Sequence, residues 1–95
     1  MEGPRTINRT IIEGDIVVST IEEPNGACET AIIDRGIVHV VETYSSFAEA
    51  CKGHDRWVVT AKPGVTIYPM RWWDEEDGSV SRNRKTVVVL GEKKK

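Results

Sequence analysis

The chain has little of several features that identify common classes of protein. Its 95 residues include two cysteines, Cys28 and Cys51, and no CxxC pair, so neither a disulfide framework nor a zinc ribbon is indicated. No apolar run approaches the ~18 residues of a membrane span. Lysine and arginine (13) do not outnumber aspartate and glutamate (15), whereas nucleic-acid binders usually carry excess positive charge. We therefore expect reduced thiols, no membrane insertion and no direct binding of nucleic acid.

Motifs that mark catalytic sites are also missing. The sequence contains no glycine-rich phosphate loop, no GxSxG and no HExxH, and it has two histidines in all. A chain this short also has little material with which to build a preorganised active site. The first residues carry an acid and a proline where a secretory signal has basic and apolar segments. The sequence therefore predicts a protein that is not secreted, is not an enzyme and uses no cofactor or metal.

The sequence contains enough apolar residues to form the core of one small domain over residues 1–95, since 39% of its residues are hydrophobic and 29% are charged. A chain of this length buries only roughly 60–65% of its unfolded surface, which leaves its stability marginal. We expect residues 1–10, which are polar, to form a loose N-terminal arm. Residues 91–95 are predicted to form a charged tail.

Strands are indicated by β-branched residues in the first half of the chain. Residues 11–21 read as one strand with a bulge or bend at Gly14. Residues 27–33 and 37–43 form the clearest hairpin, and the glycine of the intervening Asp34-Arg35-Gly36 suits a positive φ angle. Both faces of the second arm carry apolar residues, as expected of a strand inside a sheet or facing a partner.

The segment after this hairpin has helical periodicity. Ser46 and Glu49 fit a capping box, in which each side chain bonds to the other residue's amide. We expect the helix to end near residues 59–62, because Pro63 restricts the residue before it. Apolar or half-polar residues recur at helical spacing and predict one buried stripe: Phe47, Ala50, Cys51, His54, Trp57 and Val58.

The remaining elements complete an α+β fold. Residues 65–68 resume strand character, which Pro69 limits to an edge or a bulge. Residues 79–84 read as a polar loop, and residues 85–90 as a final strand. One helix packed on a mostly antiparallel sheet of about five strands is the simplest way to bury the helical stripe.

His54 is the most prominent candidate for chemistry, because it lies one turn after Cys51 on the predicted stripe. The two side chains could share a metal or form a thiolate–imidazolium pair. Adding Cys28 and His39 would make a Cys2His2 set of metal ligands, but the spacing of these four residues matches no zinc finger. We favour a packed histidine bonded to a strand carbonyl beside an inert cysteine. A mid-helix glycine, Gly53, indicates close approach of another backbone and tight helix–sheet packing. The residues assigned structural roles are Ser46, Glu49, Gly53, His54 and Trp57.

Aromatic and acidic residues concentrate between positions 68 and 77. Aromatic residues beside an arginine are enriched at protein interfaces, and two adjacent tryptophans on a strand must point to opposite faces. The alternatives are that the aromatic residues close the core and that the acids form a solvated loop. The predicted partner-binding residues are Tyr68, Arg71, Trp72, Trp73, Asp74, Glu75, Glu76 and Asp77. A small nucleotide would instead use Arg71, Trp72 and Arg84 for stacking and phosphate contacts.

Short motifs in the centre of the chain carry a family resemblance. A VST strand (18–20) and ET pairs at Glu29-Thr30 and Glu42-Thr43 precede a helix of the form EAxxGHxxWV (49–58). With these motifs, residues 16–59 resemble a family of short, uncharacterised tailed-bacteriophage proteins. The resemblance to that family implies no particular activity for this chain. The resemblance implies a viral origin and no catalytic residues.

A viral origin favours action by binding. We predict an accessory protein that inhibits a host macromolecule, such as a defence complex, in the host cytoplasm. Its contact surface would be the Trp72-Trp73 pair with the acidic residues that follow it, and copies of the chain would associate through a sheet edge or the aromatic strand. The alternatives are a structural component of the virion and an oligomer that sequesters a small nucleotide signal.

Overall fold

The computed structural model describes residues 3–74, 80–82 and 87–91, with the backbone alone for residues 80–82. A main sheet has the strand order β1-β2-β3-β4-β6-β7 with antiparallel neighbours, and β5 pairs antiparallel with β8 in a second, small sheet. The predicted α+β fold is confirmed. The elements are β1 Arg5–Glu13, β2 Ile16–Glu22, β3 Cys28–Asp34, β4 Ile37–Tyr44, α1 Phe47–Thr60, β5 Thr66–Ile67, β6 Arg71–Asp74, β7 Val80–Arg82 and β8 Val88–Val89.

Residues 5–10 belong to a strand, so the loose arm expected over residues 1–10 is wrong for this part of the chain, and residues 1–2 lie outside the described residues. Strand β1 begins at Arg5 and pairs with β2 along its length. The predicted single strand over residues 11–21 is also wrong, because Gly14, at φ 57°, reverses the chain between β1 and β2. Long-range contacts hold β1 in place: Ile7 packs against a cluster that includes Ala50 of the helix. Nothing in the local polar sequence indicates those contacts.

The predicted hairpin of β3 and β4 is confirmed, and its turn is tighter than expected. Both Arg35 (φ 52°) and Gly36 (φ 86°) adopt the left-handed region, as a two-residue type I′ turn requires. The Arg35 amide donates to the Asp15 carbonyl at 3.2 Å, which ties this turn to the preceding one. Strand β4 lies between β3 and β6, so it is an interior strand as its two apolar faces predict.

Helix α1 is confirmed, with its predicted N-cap. The Glu49 amide donates to Ser46 Oγ at 3.1 Å, while the Glu49 carboxylate accepts from the Ser45 hydroxyl at 3.0 Å rather than from the Ser46 amide. Phe47 is 53% exposed, so the buried stripe begins one turn later than the spacing predicts, at Ala50. No helix in the described ranges is long and apolar enough to cross a membrane.

In the described part of the chain, the helix and the small sheet lie on the same face of the main sheet. Helix α1 contacts β1 to β4 on this face, which we call the helix face. The small sheet packs there too, because Ile67 and Leu90 belong to the same core cluster as Ile16, Val18 and Ile32. The opposite face, which we call the open face, carries a further apolar cluster of Ala31, Val38 and Val40. The half-buried Ile33 and Trp73 pack against this cluster.

The C-terminal part of the chain differs from its prediction. Strand β7 pairs with β6 where residues 79–84 were expected to form a loop. Within the described part of the predicted final strand over residues 85–90, strand β8 covers Val88–Val89, and it pairs with β5 instead of joining the main sheet. Of the predicted tail over residues 91–95, Gly91 is described and its amide donates to Asp34 Oδ2 at 2.9 Å, while residues 92–95 lie outside the described residues.

Gly53 allows α1 to sit directly on Tyr44. A Cβ atom added at Gly53 would overlap the Tyr44 ring and hydroxyl, so the predicted tight helix–sheet packing is confirmed. The group that approaches is an aromatic side chain rather than a second backbone.

We expect Gly53→Ala to lower the free energy of unfolding by about 1–3 kcal/mol, because the overlap with Tyr44 forces the helix or the ring to shift. Helix propensity alone predicts the opposite, a gain of about 1 kcal/mol. Urea unfolding measures the difference. The control is Lys52→Ala at the exposed neighbouring position, which should change stability by less than about 0.5 kcal/mol. A Gly53→Ala protein as stable as the wild type would contradict this packing.

Candidate functional site

A line of hydrogen bonds between polar side chains connects α1 to the helix face of the sheet. His54 is buried, and its Nε2 lies 2.9 Å from Thr10 Oγ1 of β1. Its Nδ1 lies 2.7 Å from Thr20 Oγ1 of β2, which in turn lies 2.6 Å from Thr30 Oγ1 of β3. The helix therefore bonds to two strands through the two nitrogens of one imidazole.

The line continues across β4 to the surface. The Tyr44 hydroxyl lies 2.9 Å from Thr30 Oγ1 and 2.9 Å from Glu42 Oε1. Glu42 is half-buried at the far edge of the helix. We call the whole set the polar network: Thr10, Thr20, Thr30, Glu42, Tyr44 and His54.

The ionised carboxylate of Glu42 determines the direction of these hydrogen bonds. A carboxylate only accepts, and a phenol has one proton, so the Tyr44 hydroxyl donates to Glu42 and accepts from Thr30. Thr30 then accepts from Thr20, and Thr20 accepts from the Nδ1–H of His54. Nε2 of the neutral imidazole is left to accept from Thr10. Every hydroxyl in the polar network thus donates in the direction of Glu42, beginning with that of Thr10, which donates to the ring.

This arrangement supports a structural role for His54. Its two ring nitrogens bond to hydroxyls, where a strand carbonyl was expected, and neither is free for a metal or for Cys51. Burial lowers the pKa of His54, against the opposing charge of Asp55. Cys28 and Cys51 are both unpaired thiols, as predicted. In the described part of the chain, no group of histidine, cysteine and acidic residues could hold a metal ion.

Glu42 is held by donors from two elements. Its Oε1 accepts from Trp57 Nε1 at 2.8 Å as well as from Tyr44, and Arg56 Nη2 lies 3.3 Å from each carboxylate oxygen. Burial would raise the pKa of Glu42, but the hydrogen bonds from Trp57 and Tyr44 and the charge of Arg56 together lower it. Burial raises the pKa of Tyr44 to about 12. Glu42 therefore remains an anion at neutral pH.

An open cleft of about 390 Å³ lies beside this carboxylate. Its walls come from strand β4 and from the last two turns of α1: Val41, Glu42, Arg56, Trp57 and Thr60. Helical spacing placed Trp57 on the packed stripe, and no sequence motif indicated a functional role for Glu42. The helical period shows that Trp57 faces the sheet, but no local signal indicates which strand residue it meets.

The predicted partner-binding segment exposes two large side chains. Tyr68 is 70% exposed and Met70 is 51% exposed, while Pro69 between them is fully buried. The Met70 amide donates to the Val40 carbonyl at 2.6 Å. These exposed side chains are consequently attached to a backbone that is fixed on both sides. Met70 was not among the predicted binding residues.

Strand β6 places the predicted binding residues Arg71 and Trp73 on one face of the main sheet and Trp72 on the other. Trp73 packs against the apolar cluster of the open face, with the Arg71 guanidinium 5.9 Å from its ring centroid. Arg71 Nη2 also donates to both oxygens of Glu29, at 2.9 and 3.1 Å. Trp72 pairs with His39 on the opposite face of the sheet, so Arg71 and Trp72 do not line one common pocket. Glu75, Glu76, Asp77 and Arg84 lie outside the described residues.

His39 is the second buried histidine. It is 4% exposed, and among the described residues its Nδ1 has no hydrogen-bond partner. Burial lowers its pKa, and the charge of Asp34 opposes that shift. His39 is not a member of the polar network. On β4 it pairs with Ile32 of β3 and with Trp72 of β6.

Removal of one hydroxyl should test the polar network. We expect Thr20→Val, which keeps the side-chain shape, to destabilise the protein by about 1–3 kcal/mol, because His54 Nδ1–H and Thr30 lose a buried partner. Chemical unfolding at pH 7 gives the measurement. Thr43→Val, at an exposed position of β4, serves as control. Equal stabilities of the two variants would show that the network contributes nothing.

The two buried histidines should make stability depend on pH. Both folded-state pKa values lie below the ordinary histidine value of 6.5, so the unfolded chain binds more protons as the pH falls through that value. The free energy of unfolding should therefore be highest at neutral pH and fall between pH 7 and 5, by at most about 1.4 kcal/mol per pH unit for each histidine. Urea unfolding at several pH values measures this, with imidazole NMR titrations. Imidazole midpoints above 6.5 would contradict it.

The assignment of function rests on the side chains described above. The comparisons with known proteins add nothing to it, since no family model, curated protein or solved structure matches the chain. The resemblance to the phage family accordingly stays a prediction.

Proposed function

We propose that this chain is a small accessory protein that acts by binding a host protein and inhibiting it, without catalysis of its own. The single observation that carries the proposal is the display of Tyr68 and Met70 on either side of a buried proline. Isolated exposed apolar residues are common on protein surfaces, but two of them on a fixed backbone form a preorganised contact. Preorganisation reduces the ordering cost of binding.

The residues that follow extend the contact. Trp73 is half-buried on the open face, and its position is set by the apolar cluster below it. Arg71 is held between Trp73 and the Glu29 carboxylate, so its orientation is fixed before any partner arrives. Tyrosine, tryptophan and arginine are the side chains most enriched among binding hot spots. The surface we assign to the partner is formed by Tyr68, Met70, Arg71 and Trp73.

Other features support binding over catalysis. The two histidines are buried, and the more prominent of them, His54, has both ring nitrogens bonded. The thiols are unpaired, and burial raises the pKa of Cys28, with smaller contributions from the charges of Glu22 and Cys51, which disfavours a reactive thiolate. The inhibitory role on a host protein in the cytoplasm is supported by the phage resemblance.

The nucleotide alternative receives less support from the geometry. It needs Arg71 and Trp72 to face the same ligand, yet adjacent residues of β6 point to opposite faces. The Arg71 guanidinium is also bound by Glu29 with two hydrogen bonds, which leaves it less available for phosphate. The alternative that the chain is a structural component of the virion is tested below by measuring its copy number in purified virions.

The proposal predicts that Tyr68→Ser with Met70→Ser abolishes capture of the partner. Affinity-tagged protein would be expressed in the bacterial host, and the retained proteins quantified by mass spectrometry for the wild type and each variant. We expect the double variant to lose at least about tenfold in retention, which is ~1.4 kcal/mol of binding energy.

The matched control is Val59→Ser, because Val59 is also 70% exposed but lies on the helix. It should retain the partner, and thermal unfolding should show both variants folded. Identical retention by the wild type, the double variant and the control would overturn the proposed surface. Recovery of the protein at many copies from purified virions would replace the inhibitor with a structural role.

A further inference from the structure

Glu42 has the geometry of an anionic ligand that is fixed in advance. The Tyr44 hydroxyl and Trp57 Nε1 both bond to Oε1, and these two donors belong to a strand and a helix that are packed together. The carboxylate plane is therefore oriented without help from any bound group. From the described residues, Oε2 accepts one hydrogen bond, a long one of 3.3 Å from Arg56.

Arg56 holds this oxygen weakly. The arginine side chain is 61% exposed, and one nitrogen is shared between both carboxylate oxygens at 3.3 Å. Exposed ion pairs of this kind contribute about 0–1 kcal/mol. An incoming cation with better geometry would displace Arg56 at small cost, and Arg56 would remain solvated.

The rest of the cleft is suited to the stem of a long cationic side chain. Val41 and the half-buried indole of Trp57 provide apolar walls next to the carboxylate. The Thr60 hydroxyl at the rim donates to the Arg56 carbonyl at 2.8 Å, so it does not compete for the carboxylate. Arginine combines an apolar stem with a planar head that bonds to carboxylates through two parallel hydrogen bonds.

We propose that the cleft of Val41, Glu42, Arg56, Trp57 and Thr60 binds a guanidinium group, with Glu42 as its charged ligand and Arg56 as an internal competitor that the guanidinium displaces. The site is separate from the Tyr68–Met70 surface, and it does not depend on the proposed function. The guanidinium could belong to an arginine of a protein or to a free arginine-like molecule, and the two sources are distinguished below.

The test uses the Trp57 indole N–H as its reporter in NMR titrations of the whole protein, with Trp57→Phe to assign the signal. The ligands are acetyl-Gly-Arg-Gly-amide, argininamide and acetyl-Gly-citrulline-Gly-amide, the last being a neutral counterpart of the first. We expect saturable shifts with the two arginine compounds and none with the citrulline peptide. Tighter binding of the peptide points to a protein source, and equal or tighter binding of argininamide points to a free molecule.

Two variants separate the proposal from a nonspecific charge effect. Glu42→Gln keeps an acceptor for Tyr44 and Trp57 but removes the charge, so arginine binding should weaken by at least about tenfold, since hydrogen bonds to charged groups are the stronger ones. Arg56→Ala removes the competitor and should strengthen binding by up to about fivefold.

Thermal unfolding verifies that both variants are folded, and Arg56→Ala leaves the polar network untouched if the first variant fails. Weaker or unchanged binding by Arg56→Ala would overturn the proposal, as would equal shifts with the arginine and citrulline peptides. Loss of partner capture by the Tyr68 and Met70 variant bears on the proposed function alone.

Discussion

The polar network imposes the strictest constraint on this fold, because each of its buried groups needs a partner. Thr20 and Thr30 are fully buried, and His54 is nearly so. A buried hydroxyl or imidazole without a partner would cost about 1–3 kcal/mol, so the helix cannot slide or rotate on the sheet without leaving several of them unsatisfied. Apolar packing alone would tolerate such shifts. The network therefore selects one position for α1, and Gly53 makes that position sterically possible.

This position also places the candidate binding groups. Trp57 lies one turn after His54 on α1, so the contacts that fix His54 also bring the indole to Glu42. The aromatic segment after the helix depends on a different support, because its backbone is bonded to β4 and Pro69 is buried. The two candidate surfaces thus share strand β4 as a support while their side chains belong to separate parts of the molecule.

The sequence predicted those features whose signals are local. The Ser46 cap and the Gly36 turn each require specific residue types at specific spacings, and both were found. The helical period also placed His54 and Trp57 towards the sheet. The first part of strand β1, residues 5–10, was missed because all but one of its residues are polar and its support comes from distant contacts. Similarly, Glu42 became a candidate only once the fold showed which side chains surround it, and the bond from Thr20 to His54 joins residues 34 positions apart.

The direction of the hydrogen bonds in the polar network makes the tautomer of His54 depend on the group at position 42. The imidazole proton of His54 sits on Nδ1 because an anion lies at the other end of three intervening hydroxyl groups. If the anion were replaced by a group that only donates, every intervening hydroxyl would reverse, and the ring proton would move to Nε2. The tautomer of one buried ring therefore depends on whether the group in a surface cleft two strands away accepts or donates a hydrogen bond.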